Sequence, residues 1–366
     1  MILVTGASGY LGSHILKRLA EAGKPVRALV RSRAWAEAEG RLVGLNVEWV
    51  EGDVTKPETL ANAVKGVEAV IHTVAIAIEK GGRTYESINY QGTINIVNAA
   101  KAAGVNRFVN ICQLGADSKL PYRFLASKGR AQEYVAASGL EWTAFRPSVI
   151  WGPEDEFANT FARLAPLSPI IYPIIGDGQA KFQSVWVEDV ATAAVKSLDD
   201  PSTLGQDFEL GGPEVLTIAE VERRALQAIG ARRLMIPLPL PILRIIVALM
   251  QVIFPAPPVT TSLLDLLGVD NTTKNNALSR FVSQPKPFTV ENISPYMRRF
   301  KVGDTLRQRS ACRALAHQAL GREISRARCC VHVCAKRRPA RRRLLAWGRP
   351  GDGSGERGPG EQRARP

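Results

Sequence analysis

Thr5-Gly6-Ala7-Ser8-Gly9-Tyr10-Leu11-Gly12 follows directly on the apolar run Met1-Ile2-Leu3-Val4 and leads into Ser13–Ala22, which has helical spacing. Glycines at this spacing permit a tight turn and close backbone approach to a ligand, and the first turn of the helix presents free N–H groups to a pyrophosphate. Thr5, Gly6, Ser8, Gly9, Tyr10, Leu11 and Gly12 are therefore candidate cofactor-binding residues. A glycine triplet alone also serves plain turns. Here a strand precedes it, a helix follows, and the pattern continues beyond, which selects the dinucleotide reading.

Moving outward, Val26–Val30, Val47–Val50, Ala69–Thr73, Phe108–Cys112 and Trp142–Phe145 read as strands, and Pro57–Val64, Thr93–Ala103 and Ser127–Ser138 carry helical spacing between them. Apolar strands alternating with helices predict an α/β fold, a Rossmann-type doubly wound parallel sheet covered on both faces. Past Gly152 the alternation loosens: Phe157–Leu164 reads as helix, Phe182–Val187 as strand, Val187–Leu198 as helix, and Ile218–Ile229 as a helix capped by Thr217. The expected organisation is a nucleotide-binding domain over 1–152, a smaller C-terminal lobe over 153–304 interleaved with it, and an Arg-rich tail over 305–366.

The 366 residues carry a formal net charge of +14, but Thr305–Pro366 holds 16 basic residues against 4 acidic ones. The body is thus close to neutral, which removes the case for nucleic-acid binding by the folded part. Cys112 is the one cysteine before the tail, so no internal disulfide framework is expected and a reducing cytoplasm suits the chain. No presequence precedes the first strand. The tail has neither helical nor strand period and is expected to be disordered; its abrupt compositional break is that of a segment translated outside an ancestral frame. Its Cys329-Cys330-x-His332-x-Cys334 lacks paired C-x-x-C spacing, so no metal site is expected. Ile242–Phe254 is apolar apart from Arg244 and Gln251 and too short to span a bilayer, which takes about 20 residues. It reads as a buried or partner-facing helix, with peripheral membrane contact as the alternative.

After the second strand comes Arg31-Ser32-Arg33. An acid there would accept the ribose hydroxyls of NAD(H), whereas guanidinium groups suit a 2′-phosphate, so NADP(H) is favoured, with Arg31 leading and Arg33 supporting. Asp53 after the third strand is placed to accept from an adenine amino group, with Val54 against the ring.

These residues, with Gly52-Asp53-Val54, Val70-Ile71-His72 and Asn89-Tyr90-Gln91-Gly92-Thr93, resemble the extended and atypical short-chain dehydrogenase/reductase superfamily. Phe145–Asp155, Phe182–Ala191, Glu209–Pro213 and Gly268–Asn271 look like its NADPH-binding accessory subunit family of respiratory complex I. The resemblance covers most of Met1 to about Asp304. It further implies that Val74, Ala75, Pro147, Ser148 and Val149 lie at the cofactor. The superfamily's chemistry uses a Ser and a Y-x-x-x-K pair, in which the lysine holds the ribose and lowers the tyrosine pKa. Lys128 matches the lysine, but Phe124 stands at the tyrosine position and Cys112 at the serine. Tyr122, six positions before Lys128, is roughly 120° off the lysine's face if helical.

The cradle is thus retained without the proton donor. The reading that follows is a non-catalytic NADP(H)-binding protein with a structural, assembly or redox-sensing role, working with a protein partner such as a respiratory complex, in the cytoplasm at the inner membrane face. The alternatives are an active NADP(H)-dependent reductase or epimerase with another proton donor, and an NADP(H)-sensing regulator.

Overall fold

Runs of four or five β-branched and apolar residues, bounded by glycine or polar breaks, suit strands buried on both faces. In the computed structural model, which describes residues 1–300 apart from 43, 169 and 254–259, such strands alternate with helices. The chain passes through β1 (Ile2–Thr5), α1 (Tyr10–Glu21), β2 (Val26–Val30), α2 (Arg33–Glu39), β3 (Glu48–Glu51), α3 (Ala61–Val64) and β4 (Ala69–His72). It continues through α4 (Gln91–Ala102), β5 (Arg107–Ile111), α5 (Arg123–Ala136) and β6 (Glu141–Pro147). Helix α2 has no counterpart in the expected pattern, and α5 starts four residues earlier than its spacing predicted, because Arg123–Ala126 are helical although Arg123 is exposed and Phe124, Leu125 and Ala126 are only half-buried.

Beyond β6 come β7 (Ile150–Trp151), α6 (Ala158–Leu164), β8 (Ile171–Ile175), β9 (Lys181–Phe182), β10 (Val185–Trp186), α7 (Val187–Lys196) and β11 (Gln206–Leu210). Then follow β12 (Leu216–Thr217), α8 (Ile218–Ala228), β13 (Leu234–Leu238), α9 (Leu240–Ile253), α10 (Thr261–Leu267), α11 (Leu278–Phe281) and α12 (Val290–Met297). The expected single strand at Phe182–Val187 is two short ladders: β9 pairs antiparallel with β12, and β10 pairs parallel with β7. Thr217 does cap α8, in a reciprocal capping box with Glu220. The tail and Phe254 lie outside the described residues. No helix among the described residues is long and apolar enough to cross a membrane.

Seven parallel strands form the central sheet in the order β11-β6-β5-β4-β1-β2-β3. Alternate side chains of each strand feed the two faces. Ile2 and Val4 pack with Leu11, Ile15 and Leu19 of α1 and Val190 of α7, whereas Leu3 packs with Ile96, Ala100 and Phe108 on the other face. The strand order reverses between β1 and β4, so the loops at their carboxyl ends diverge and leave a crevice there. A second core, around Trp151, Phe161, Phe182 and Phe288, belongs to the C-terminal lobe. Although they come late in sequence, α7 and β11 belong to the sheet's own layers, so the chain leaves the nucleotide layer and returns to it.

The covering helix α1 is tied to that later segment by charge. His14 Nδ1 lies 2.6 Å from Glu188 Oε1 on α7, His14 Nε2 lies 3.3 Å from Glu154 Oε2, and Arg18 Nε donates to Glu188 Oε2 at 2.7 Å. Burial opposes the imidazolium, but hydrogen bonds to Glu154 and Glu188 outweigh it and raise its pKa to about 9. A pKa raised on folding gives stability that is complete below the unfolded value, near 6.5, and disappears as pH rises through about 9. Chemical denaturation of the wild type between pH 7 and 9.5 should therefore show falling stability, with a shallower fall in His14→Gln; equal slopes would contradict the clasp (pH limits are about those set by the shift).

Candidate cofactor site

At the crevice the glycines meet a geometric demand. Gly6 has φ +70°, and a Cβ there would lie 2.6 Å from Thr73 Oγ1. A Cβ on Gly12 would lie 2.2 Å from the Gly6 carbonyl oxygen, a backbone atom that cannot move aside. Gly9 N–H donates to that same carbonyl at 2.8 Å, closing the turn from which α1 starts. The N-terminal N–H groups of α1 are thereby set at the floor of the crevice.

The opposite wall comes from β4, β5 and α5. The segment after β4 is pinned by Asn89, whose Oδ1 accepts from Ile76 N–H at 2.8 Å and whose Nδ2 donates to the Ile76 carbonyl and to Ser127 Oγ, each at 3.2 Å. Lys128 is buried, and its ammonium donates to the Ile111 carbonyl at 2.7 Å. Burial pulls the ammonium below its ordinary pKa. The Cys112 thiol is pushed up by burial, with the nearby Lys128 charge opposing, and its Sγ is 3.6 Å from the Lys128 carbonyl. His72, between Thr5 Oγ1 (2.7 Å) and Thr93 Oγ1 (3.0 Å), is driven down to about 3 by burial and by Lys128, so it is neutral. Phe124 packs edge-on against Tyr85, with ring centroids 5.7 Å apart.

These elements enclose a cavity of about 540 Å³, of the size that takes a cofactor or substantial ligand. Gly6, Ser8, Gly9, Tyr10, Leu11 and Gly12 line it, as do Arg31, Asp53, Val54, Val74 and Ala75, and at the far end Cys112, Phe124, Lys128 and Pro147. The profile of a family described as NAD(P)H-binding matches residues 6–201. The chain belongs to this NAD(P)H-binding family.

Among its relatives is the mitochondrial NADH dehydrogenase [ubiquinone] 1 alpha subcomplex subunit 9 of Arabidopsis thaliana, 29% identical over 310 residues, covering 80% of this chain and 77% of that protein. An NAD(P)H azoreductase of Xenophilus azovorans is 30% identical over 232 residues, covering 63% of this chain and 74% of the relative. The fold is also similar to that of the Escherichia coli NADPH-dependent quinone oxidoreductase QOR2, solved with NADPH. That likeness has a TM-score of 0.65 at 22% identity and covers 81% of this chain and 99% of the other. The architecture is the atypical short-chain dehydrogenase/reductase fold that the sequence resembles.

Within this family site, several expected residues stand behind the wall. Thr5 is buried in β1, with its hydroxyl on His72. Ser32 caps α2, accepting from Trp35 N–H. Arg33 does not face the cavity beside Arg31: it opens the unexpected helix α2, where its guanidinium pairs with Glu37 at 2.8 Å and lies over Trp49. Ser148 and Val149 also lie off the wall. Ser148 Oγ donates to Asn271 Oδ1 at 2.6 Å and Val149 N–H donates to it at 3.1 Å, so this pair anchors the lobe segment at Asn271. Tyr122 stands at the N-cap position of α5, outside the cavity lining.

Two arginines without a motif take the place expected for Arg33. Arg41 lines the cavity and donates to the Ser8 carbonyl at 3.2 Å, and Arg83 lines it beside Arg31 and Asp53. Burial of Asp53 is outweighed by hydrogen bonds from Thr55 N–H (2.9 Å) and Oγ1 (2.8 Å) and by the charges of Arg31 and Arg83, so its carboxyl sits below the usual range. The residues fit a dinucleotide on one decisive feature, the Gly6–Gly12 turn, in which α1 starts so close to the Gly6 carbonyl that position 12 has no room for a Cβ. Gly12→Ala is accordingly expected to weaken nucleotide binding by at least about tenfold, an isothermal titration readout, while the far-UV spectrum is kept.

Proposed function

We propose that this protein holds NADP(H) without turning it over and serves a protein assembly, in the manner of an accessory subunit of a respiratory complex. The observation that carries the reading is Phe124: the residue four before Lys128 lines the cavity but has no proton to exchange. A nicotinamide supplies hydride transfer when bound, and a carbonyl that accepts a hydride must also receive a proton. At the far end, this chain offers the Cys112 thiol, which burial keeps protonated, and the Lys128 ammonium, already donating to the Ile111 carbonyl. A thiol is a weak donor, and an occupied buried ammonium serves to orient and hold. Lys128 is suited to binding the cofactor's ribose rather than to relaying protons.

The phosphate end supports NADP(H) over NAD(H). Arg31, Arg41 and Arg83 line a cavity whose acidic lining residues, among the described residues, are Asp53 and Glu156. Burial and the Arg31 charge pull the Arg83 guanidinium below its ordinary pKa, with Asp53 opposing. Two like charges held together are relieved by a dianion between them, which a 2′-phosphate supplies. Likeness to subunit 9 of the alpha subcomplex over 80% of the chain supports the assembly role.

Protein purified without added nucleotide should retain NADP(H) at close to one per chain, identified by mass spectrometry of the released ligand. Arg31→Asp should lower NADPH affinity by at least about tenfold and NADH affinity far less. On a panel of carbonyl, quinone and azo compounds, turnover should be absent in the wild type. Turnover dependent on Lys128 would remove the non-catalytic reading while leaving the cofactor assignment in place.

A further inference from the structure

Helix α9 is apolar on two faces. Leu243 and Val247 pack with Leu264 and against Ile175, Leu238 and Leu240. On its other side Ile242, Ile245, Ile246 and Leu249 repeat at i, i+3, i+4 and i+7 and are 41–63 % exposed. The apolar surface continues onto the strand pair. In the parallel ladder of β13 with β8, alternate residues share a face, so Leu234, Ile236 and Leu238 point together with Ile171 and Ile175. Leu238 and Ile175 on that face lie under α9, whereas Ile171, Leu234 and Ile236 at its other end stay exposed. An uncovered apolar stripe therefore runs along α9, and the ladder on which α9 packs leaves further aliphatics uncovered at its other end. Among the described residues this is a concentration of large exposed aliphatics that scattered surface hydrophobics do not produce.

Its charge selects an occupant. The segments that form the surface, 170–175 and 231–253, hold three arginines, Arg232, Arg233 and Arg244, and no Asp or Glu. Arg232 and Arg233 adjoin Leu234 at the ladder's exposed end, Arg233 donating to the Ser168 carbonyl at 2.9 Å. Arg244 lies among the stripe residues of α9 and is exposed. Asp177, in the turn after β8, accepts from Gln179 N–H within its own loop at 3.0 Å. A docked protein would meet a polar rim with both signs of charge around the apolar centre. Here, among the described side chains of α9, the exposed ones other than aliphatics and Pro241 are Arg244 and Gln251. Aliphatic side chains with arginines, on segments that carry no acids of their own, are the complement of acyl chains beneath anionic headgroups. The 14 residues of α9 give a rod of about 21 Å, short of the ~30 Å hydrocarbon core, so it is built to lie in the interface rather than to span.

We propose that α9 and the exposed end of the β8–β13 ladder form a docking surface for an anionic lipid bilayer, with α9 lying in the headgroup plane. The assignment is independent of whether the cofactor is turned over.

Because the tail carries 16 basic residues, flotation of the full chain with anionic vesicles would not by itself locate the contact. Hydrogen exchange followed by mass spectrometry does. With vesicles of phosphatidylcholine and about one-third phosphatidylglycerol, amides of 240–253 should exchange at least about tenfold more slowly than in the free protein, and pure phosphatidylcholine should produce much less slowing. The effect should vanish in full-length Ile245→Glu/Leu249→Glu, with nucleotide affinity unchanged as the check on folding. Vesicle binding without slowed exchange in 240–253 would place the contact in the tail and overturn the proposal. So would slowing that is equal on neutral vesicles, or that depends on protein concentration without lipid, the mark of a second copy on this face.

Discussion

The contact between the Gly6 carbonyl and the first turn of α1 governs the rest of the molecule. That oxygen accepts from Gly9 N–H at 2.8 Å and faces Gly12 so closely that a methyl group would overlap it. Gly6 is in turn pressed against Thr73, whose hydroxyl donates to the Thr5 carbonyl at 2.8 Å. The neighbouring carbonyls of Thr5 and Gly6 thus fix β1, α1 and the end of β4 relative to one another at the switch point of the sheet. The direction of α1 then fixes His14 and Arg18, and through Glu188 and Glu154 it holds α7 and the segment after β7. The cofactor cradle and the clasp to the later part of the chain are two ends of one helix.

The cavity is chemically graded along its length. At one end Arg31, Arg41, Arg83 and Asp53 are exposed or half-exposed, and their charges persist in contact with water. At the other end burial dominates: it pulls the Lys128 ammonium down, pushes the Cys112 thiol up and leaves His72 neutral. Each group there is held by a hydrogen bond rather than an opposite charge, as the Lys128 contact with Ile111 shows. A buried polar group costs little when its partner is fixed. This end is therefore built for stable neutral contacts, while the exposed end attracts and orients charge.

How much of this was legible in the sequence depends on range. The glycine turn and its flanking strand and helix are local, and the periodicities of β1, β2, β4 and α4 gave the parallel sheet directly. Capping of α8 by Thr217 was equally local. Arg41 and Arg83 lie in loops with no period or motif, and they reach the cavity only because α2 and the segment after β4 fold back toward it. Arg33 was misplaced for the converse reason: α2 is short and largely exposed, without an apolar stripe to announce it, and its first turn carries the side chain away. Ser148 and Val149 lie one and two residues beyond Pro147, but Asn271 draws them off the wall from 123 and 122 residues away. The His14–Glu188 contact, with a separation of 174 residues, had no local signature at all.

Phe124 has a structural part of its own at the cavity wall. Its ring lies edge-on to Tyr85, a buried residue whose own hydroxyl donates to the Ala77 carbonyl at 2.8 Å. The Phe124 carbonyl accepts from Ser127 Oγ, and Ser127 Oγ also accepts from Asn89, the side chain that pins Ile76 at the cavity wall. The position is thus knitted into the packing that shapes the cavity, so the aromatic ring has a use apart from any hydroxyl.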